Sequence, residues 1–402
     1  MKRLFIGLAA ASIAAPALSA SVSVKPIIDT RLRWENVDQQ GAAKDANAVT
    51  FRARIGAEIK TGDWSALGEI EGTNAFVEDY FSGLNGKTQY PLVGDPWNFE
   101  LNRLQLQYRG LPKTVVTVGR QRINIEDQRF VGSVGWRQNE QTFDAARVEY
   151  GTPKGFQADL IYSWSVRTIW GIDGFGARPQ AISGNYVFAT ASYPTPIGKL
   201  SGFGYLVDQD EAALQNYRLS SQTYGARLAG SHALSKAAKL TYALSYARQS
   251  DYHRNPNSYG ADYALAEAGL EVSGWKAGAG YELLGADKGA PFTSFQTPLA
   301  TLHKFQGWAD KFLTTPPNGI QDYYGQAGHG WKKLGGIDMV NALVVYHRFD
   351  SARLGLHYGD EWDALLSAKK GRWTATAKLA SYNADSFATD TRKLWFQLEW
   401  AY

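Results

Sequence analysis

The stretch KLWFQLEWAY, from Lys393 to Tyr402, alternates its residue types with a period of two. One face of an extended chain would carry Leu394, Phe396, Leu398, Trp400 and Tyr402, and the other would carry Trp395, Gln397, Glu399 and Ala401. Such alternation is typical of a β-strand with one apolar face. That face needs a cover, which is either a packed protein interior or lipid.

The same alternation recurs along the whole sequence. Apolar and polar residues alternate over 28–35, 49–60, 103–109, 156–167 and 239–246. Helical periodicity is hard to find in any window, so the sequence predicts an all-β protein. Soluble sandwiches and propellers also consist of alternating strands, and alternation alone does not exclude them.

The connections between the predicted strands favour a membrane barrel. Short connections stand at 61–63, 110–114, 151–155, 194–199, 234–238, 273–275 and 369–372, and long ones at 39–47, 73–98, 124–140, 170–185, 208–220, 249–261, 287–336 and 383–392. Only the brief YGDEW link at 358–362 departs from strict alternation of long and short. Short periplasmic turns and long extracellular loops are typical of a transmembrane antiparallel up-and-down β-barrel.

The predicted barrel has about eighteen strands, and it must be closed, because an unpaired backbone amide in hydrocarbon costs several kcal/mol. Lipid then covers the apolar face of 393–402. An aromatic residue such as Tyr402 on that face is the usual signal for the barrel assembly machinery. Trp and Tyr, 13 and 22 in number, outnumber the 18 Phe, which fits aromatic girdles at both membrane boundaries.

The first residues predict export. Lys2 and Arg3 precede an apolar run that ends in small residues near Ala20, the pattern of a cleavable secretory signal peptide over 1–20. A membrane anchor fits less well, since the run is shorter than the roughly 20 residues that a spanning helix needs. Residues 21–402 are then a single barrel domain, which we expect in the outer membrane of a Gram-negative cell.

Composition and motifs exclude several functions. The sequence has no Cys, which excludes thiolate metal sites, and 42 basic against 38 acidic residues do not indicate nucleic-acid binding. The six His residues show no metal-binding spacing, and we find no phosphate loop, dinucleotide fingerprint or nucleophile elbow. We therefore predict no cofactor, no metal and no enzyme. An outer-membrane enzyme with dispersed catalytic residues is the remaining alternative from another class.

Arginines are concentrated on the predicted lumen face of the first strands. The candidates for solute contact are Arg31, Arg33, Arg52, Arg54, Arg103, Arg120, Arg122, Arg129, Arg137 and Arg147. Guanidinium groups bind carboxylates bidentately and would favour anions in a narrow pore. Arg120 and Arg122 require a change of face, which we expect at a bulge around Gly119. Since acidic residues lie among these arginines, ion pairs that only support the wall are the alternative.

The longest predicted connection covers 288–336. It contains Pro316-Pro317-Asn318-Gly319, a turn signal, and enough aromatic residues to argue against disorder. We expect a structured lid or inward fold at the external mouth. The side chains that could touch solute are His303, Lys304, Asp310, Lys311 and Asp322. A loop that packs on itself without a ligand is equally compatible with the sequence.

Four stretches resemble the alginate export family of Gram-negative outer-membrane barrels. They are FRARIGAEIKTGDWSALGEIEG (51–72), NRLQLQYRG (102–110), VTVGRQRINIEDQRFVGSVGWRQNEQTFDAARV (116–148) and TPLATLHKFQGWADKFLTTPPNGIQDYYG (297–325). The resemblance extends from about the second strand to the carboxy-terminus. It implies a monomeric eighteen-stranded barrel whose lumen carries the polyuronate alginate outward.

The sequence thus predicts an outer-membrane channel for passive movement of an anionic, saccharide-like solute. Export of an alginate-type polysaccharide is the form that the resemblance implies. The main alternative is an uptake porin for small organic acids or other nutrients. Expected partners are the anionic solute, outer-membrane lipid and the barrel assembly machinery.

Overall fold

The computed structural model describes residues 21–402, so the predicted signal peptide lies outside the described residues. The strands are β1 (Ser23–Gln39), β2 (Ala46–Thr61), β3 (Trp64–Asp79), β4 (Asn98–Leu111), β5 (Thr114–Gln121), β6 (Thr142–Gly151), β7 (Gln157–Arg167), β8 (Ala181–Thr195), β9 (Gly198–Gln209), β10 (Ser221–Ala233), β11 (Ala238–Asp251), β12 (Gly260–Val272), β13 (Trp275–Leu284), β14 (Ile320–Leu334), β15 (Ile337–Asp350), β16 (His357–Lys370), β17 (Trp373–Ala384) and β18 (Thr391–Ala401). Two one-turn 3₁₀ segments occupy Gln215–Tyr217 and Leu302–Lys304.

The eighteen strands form one closed antiparallel sheet. Each strand pairs with its neighbours in sequence, and β1 pairs with β18 from Asp29 opposite Ala401 to Gln39 opposite Thr391. Closure satisfies both edges of every strand, which is the condition for a sheet in hydrocarbon. The predicted barrel and its strand count are confirmed. Within 21–402 no helix has the length and apolar character that crossing a membrane requires.

The two faces of the sheet follow the predicted alternation. On β18, Phe396 and Leu398 are exposed on the outside, whereas Trp395 and Gln397 are buried inside the cylinder. Outward-facing Trp64, Trp275 and Trp373 each lie directly beside a short turn, where an aromatic girdle is expected. The apolar outer band is the arrangement of a barrel surrounded by lipid, and the interior combines charged side chains with a cluster of buried aromatic rings.

Connections of two lengths separate the two rims of the barrel. Short turns at 62–63, 112–113, 152–156, 196–197, 234–237, 273–274, 335–336 and 371–372 form one rim, which we name the short-turn rim. The opposite, long-loop rim carries loops L1 (40–45), L2 (80–97), L3 (122–141), L4 (168–180), L5 (210–220), L6 (252–259), L7 (285–319), L8 (351–356) and L9 (385–390).

Two boundaries differ from those predicted. The predicted connection 288–336 ends at Gly319, because residues 320–334 form β14 and the turn that follows is 335–336. The YGDEW segment at 358–362 is not a link but part of β16, and L8 precedes it. With both corrections, long and short connections alternate without exception between β1 and β18.

Candidate functional site

Loops L3 and L7 leave the long-loop rim and fold into the lumen, where they meet. Val131 of L3 and Leu299 of L7 form an isolated parallel bridge, and the Gly132 amide donates to the Leu299 carbonyl at 2.9 Å. The Gln141 side chain donates to the same carbonyl at 3.0 Å. The predicted inward fold of the long segment is therefore present. It also contacts the middle of β17, since Trp308 of L7 lies 3.7 Å from the Lys378 ammonium.

Loop L3 lies against the arginine-rich wall formed by β1 and β2. Arg31 donates to the Trp136 carbonyl at 2.9 Å, and Arg33 donates to the same carbonyl at 2.5 Å. The Gln138 side chain donates to the Thr50 hydroxyl of β2 at 2.8 Å. Because the guanidinium groups bind the loop backbone, this part of the wall is covered and not open to the lumen.

All ten predicted arginines pair with carboxylates. The pairs are Arg31–Glu399, Arg33–Asp95, Arg52–Asp29, Arg54–Glu71 and Glu140, Arg103–Glu69, Arg120–Asp144, Arg122–Glu140 and Glu69, Arg129–Glu282, Arg137–Glu35 and Asp310, and Arg147–Asp159 and Glu149. Loss of one partner from a buried pair costs about 3–5 kcal/mol, because the other charge is left uncompensated. These pairs hold the wall and the loops in place.

The arginines are not all in one place. Arg31, Arg33, Arg52 and Arg54 lie on β1 and β2, where L3 with its own Arg137 covers the wall. Arg103 and Arg122 join this group through Glu69 and Glu140. Arg147 faces a separate part of the lumen near the short-turn rim. Arg129 crosses from L3 to β13, where Glu282 raises its pKa although burial alone would lower it.

Arg120 is an exception to the predicted lumen arginines. The strand register continues through Gly119 without the expected bulge and places Arg120 opposite Leu104, whose side chain is 56% exposed on the outside. Cross-strand partners share a face, so the register places Arg120 on the outward face of the sheet. Its ion pair with Asp144 bridges β5 and β6 there.

Asp310 of L7 is the point at which both loops and the wall meet. Its carboxylate accepts hydrogen bonds from Arg137 of L3 and Lys393 of β18, each at 2.9 Å, and lies 2.7 Å from Nδ1 of His303. Burial alone would raise the pKa of Asp310, but the charge of Lys393 and the hydrogen bond from His303 hold it well below its usual range. The carboxylate is therefore ionised and clamped.

His303 and Lys378 connect L7 to β17 through aromatic rings. The His303 ring stacks on Trp136 with centroids 4.6 Å apart, and its Nε2 lies 2.8 Å from Nζ of Lys378. The Lys378 ammonium lies 3.7 Å from the ring centroid of Trp308 and 4.0 Å from that of Trp136, within cation–π range. Burial and the Lys378 charge lower the pKa of His303 well below its usual range.

The other predicted loop residues divide between the loop and the wall. Lys304 donates to the Asp127 carbonyl at 2.7 Å and Lys311 to the Gln39 side chain at 3.1 Å. Burial lowers the pKa of Lys311 to about 8, with Lys393 as a further cause. Asp322 is not a loop residue, because it belongs to β14, where it is buried against His347.

A cavity of about 670 Å³, which we name the central cavity, lies between the two loops and the wall of β10–β17. Its lining combines charged, aromatic and amide side chains, among them Arg227, Glu267, Glu282, His303, Lys304, Phe305, Trp308, Tyr324, Gln326, Leu343, His347 and Lys378. The lining residues Trp136, Arg227, Trp308 and Lys378 are absent from the candidates chosen from the sequence. Lys378 alternates with outward residues on β17, so strand parity was the signal that could have found it.

Two further cavities lie nearer the short-turn rim. The rim cavity, about 350 Å³, is lined by residues of β11–β16 that include Gly269, Lys276, Gln326, Gly328 and Leu343. The side cavity, about 400 Å³, lies on the other side of L3 and is lined by residues that include Lys113, Glu126, Arg147, Gln157 and Lys199. The side cavity and the central cavity thus lie on different sides of L3, whereas the rim cavity adjoins the central cavity.

Solved structures with the same fold define the class of protein. The chain aligns with OccAB4 of Acinetobacter baumannii at a TM-score of 0.70 and 14% identity, covering 96% of this chain and 99% of that one. It aligns with OccK9 (OpdG) of Pseudomonas aeruginosa at 0.69 and 12%, covering 94% and 98%. OpdK of Pseudomonas aeruginosa, solved with vanillate, aligns at 0.66 and 12%, covering 94% and 98%. The fold is that of an outer-membrane β-barrel channel.

A sequence match identifies the family to which the chain belongs. A profile of the family described as alginate export matches residues 74–288, more than half of the chain, and the chain belongs to this family. The matched range includes two of the four stretches that carried the resemblance, 102–110 and 116–148. No curated protein sequence matches the chain.

Proposed function

We propose that the protein is a passive channel for anionic, saccharide-like solutes. The observation that carries this proposal is a pair of ammonium groups, Lys304 and Lys378, on the central cavity. Among residues 21–402 neither has a carboxylate oxygen within 4.0 Å. A carboxylated solute would supply the missing counter-charge.

The carboxylates that line the same cavity are already bonded. Glu282 binds Arg129 and accepts from Tyr263 and Gln306, and Asp322 binds His347. Glu267 accepts from the Tyr324 hydroxyl at 2.7 Å. Their remaining lone pairs, with the Gln326 amide, are suited to the hydroxyl groups of a sugar. Unpaired cations and satisfied acceptors together favour a sugar acid over a neutral sugar.

The predicted contact between the arginines and solute remains a proposal. Arg103, Arg122 and Arg147 retain partial exposure and could guide an anion along the wall. Arg33, Arg52 and Arg129 are almost fully buried against carboxylates. We assign the buried arginines a supporting role, so the proposal combines structural and guiding arginines.

The state of the loops bears on the size of the solute. L3 and L7 contact each other inside the lumen, and the central cavity has the volume typical of small-molecule sites, about 300–1,000 Å³. Uptake of small organic acids is therefore the second candidate, and OpdK, which shares the fold, was solved with vanillate. Export of a polyuronate requires the two loops to separate.

Conductance in planar bilayers tests the proposal. We expect anion selectivity in a salt gradient, and block of the current by short oligouronates but not by neutral oligosaccharides of equal length. Cation selectivity, or equal block by both sugars, would contradict it. A purified barrel that passes monomeric uronates or organic acids into liposomes, and never longer chains, would favour the uptake alternative.

The cellular setting completes the proposal. We infer that residues 1–20 are a cleaved signal peptide, that the barrel assembly machinery inserts the chain, and that it works as a monomer. The charged n-region, the short apolar run and the small residues before Ala20 support the first point. The outward aromatic residues of β18 support the second. Analytical ultracentrifugation in detergent tests the third, and a trimer would contradict it.

A further inference from the structure

The arginine-rich wall that the sequence emphasises is not where the lumen is open. Arg31, Arg33 and Arg54 all donate to backbone carbonyls of L3, and each is less than 9% exposed. A solute that moved along β1 and β2 would have to displace L3 and break these buried charged contacts. The spaces large enough for a solute lie elsewhere in the barrel.

We propose that solute crosses the barrel along a different part of the wall, β12–β15, through the central cavity and then the rim cavity. This inference rests on the proposed function as a channel. Gln326 and Leu343 line both cavities, so the two spaces adjoin at these residues. In the proposed route they are consecutive spaces between L7 and the short-turn rim.

The side cavity has no such connection. No residue of 21–402 lines both it and the central cavity. Between them, the first part of L3 is bonded to the wall, since Glu126 accepts from Lys199 at 2.8 Å and Asp127 binds Arg227 at 3.0 Å. The Ser201 hydroxyl also donates to Glu126 at 2.9 Å. A solute moving between the two cavities would have to break these contacts.

The strand register explains why β12–β15 leaves room. Gly269, Gly278 and Gln326 lie side by side on β12, β13 and β14, and the next row towards the short-turn rim includes Gly328 beside Leu343. Cross-strand partners share a face, and Gln326 and Leu343 face the cavities. The glycines contribute no side chains at these positions, and the side chains of Thr241, Gln326 and Leu343 lie next to them.

Cations lie near both ends of the route. Lys304 and Lys378 line the central cavity, and Lys276 lines the rim cavity beside the turn at 273–274. Within the described chain Lys276 has no carboxylate oxygen within 4.0 Å. An anion leaving the central cavity would meet Gln326, an uncharged amide, and then Lys276. This arrangement attracts an anion without holding it at one position, as conduction requires.

Cysteine modification tests the route, because the sequence has no Cys of its own. Q326C and Leu343→Cys place a thiol where the two cavities adjoin, and Gln157→Cys places one in the side cavity as the matched control. Each purified variant is treated with a bulky anionic methanethiosulfonate reagent, and its single-channel conductance is recorded before and after. Mass spectrometry measures the modification.

We expect modification at 326 and 343 to lower the conductance by about twofold or more, and modification at 157 to leave it nearly unchanged. A fall at 157 that equals or exceeds the fall at 326 would overturn the route. So would thiols at 326 and 343 that the reagent does not reach. Selectivity of the untreated channel is recorded in parallel. A cation-selective channel blocked at 326 would contradict the proposed function and leave the route standing.

Discussion

Arg137 and Asp310 form an ion pair at 2.9 Å that joins loops L3 and L7 across 173 residues of sequence. Both side chains are buried. Burial opposes the charged form of Arg137, but the charges of Glu35 and Asp310 favour it, and the pKa of Arg137 is raised overall. The pair joins the two loops that fold into the lumen. It is therefore the contact whose loss should change the channel most directly.

Replacement of Arg137 by Gln removes this pair and leaves Glu35 and Asp310 with fewer positive partners. Breaking a buried pair costs about 3–5 kcal/mol, so separated states of L3 and L7 become more populated. We expect a larger mean conductance and more frequent opening events in planar bilayers. The control is Lys87→Gln, which removes an exposed ion pair between Lys87 of L2 and Glu78 of β3. Traces identical to those of the parent channel would contradict the role of the pair.

Lys304→Gln removes one of the two unpaired ammonium groups of the central cavity. A unit charge about 4 Å away contributes roughly 1 kcal/mol in water-like surroundings, which corresponds to about a fivefold change in affinity. Oligouronate block of the current should weaken by about that factor, and anion selectivity should fall. Lys288→Gln is matched to it, since Lys288 also lies in L7 and donates to a backbone carbonyl, but at the exposed side. Equal effects of both changes would argue against the cavity site.

The docking of L7 should weaken as the pH falls. The pKa values of His303 and Asp310 are both lowered in the folded state. Each group therefore stabilises the docked loop fully at a pH above its unfolded pKa, and this stabilisation is lost as the pH falls towards its folded pKa. For His303 the stabilisation is lost below about pH 6.5, and for Asp310 below about pH 3.9. The charged groups that face His303 are Asp310 of L7, Lys378 of β17 and Arg137 of L3.

Hydrogen exchange measures this dependence. Protection factors of amides 300–312, corrected for intrinsic exchange, should fall between pH 7 and pH 5. In a His303→Gln variant, which has no titrating ring, they should stay nearly constant over the same range. Equal slopes in the two proteins would show that another group controls the docking of L7.

An arginine at Phe396 tests lipid contact. Phe396 lies mid-strand on β18, faces outward and stacks with Trp34, and a charged side chain on the lipid face costs about 2–4 kcal/mol near the bilayer centre. We expect Phe396→Arg to lower the free energy of unfolding in liposomes by that amount. Ala43→Arg in the exposed loop L1 should change it by less than about 0.5 kcal/mol. If Phe396→Arg left the free energy of unfolding unchanged, this face would not be in contact with lipid.

Strand alternation was sufficient to predict the barrel, because a sheet between lipid and a polar lumen repeats with a period of two. It failed where other factors dominate. β14 reads IQDYYGQAGHGWKKL, and its glycines hide the alternation, so the sequence suggested a long loop. In β7 a register shift between Ser163 and Ser165 turns Val166 into the interior, although parity with Trp164 predicted the outside.

The site was less predictable than the fold. Parity placed Arg31, Arg33 and Arg52 inside, and the nearby acidic residues suggested their ion pairs. Which wall stays open depends on how L3 and L7 pack against each other, and contacts between residues as distant as Val131 and Leu299 leave no local pattern. The cavity and its lysines therefore became visible only with the fold.

Lys393, which fixes Asp310, stands on β18, the strand that completes the cylinder against β1. Part of the docked position of L7 therefore depends on the joining of the two ends of the sheet. L7 also contacts β13, β16 and β17, and we expect it to reach its full set of contacts only after β18 has paired with β1. Completion of the cylinder and full docking of its internal loop are in this way coupled.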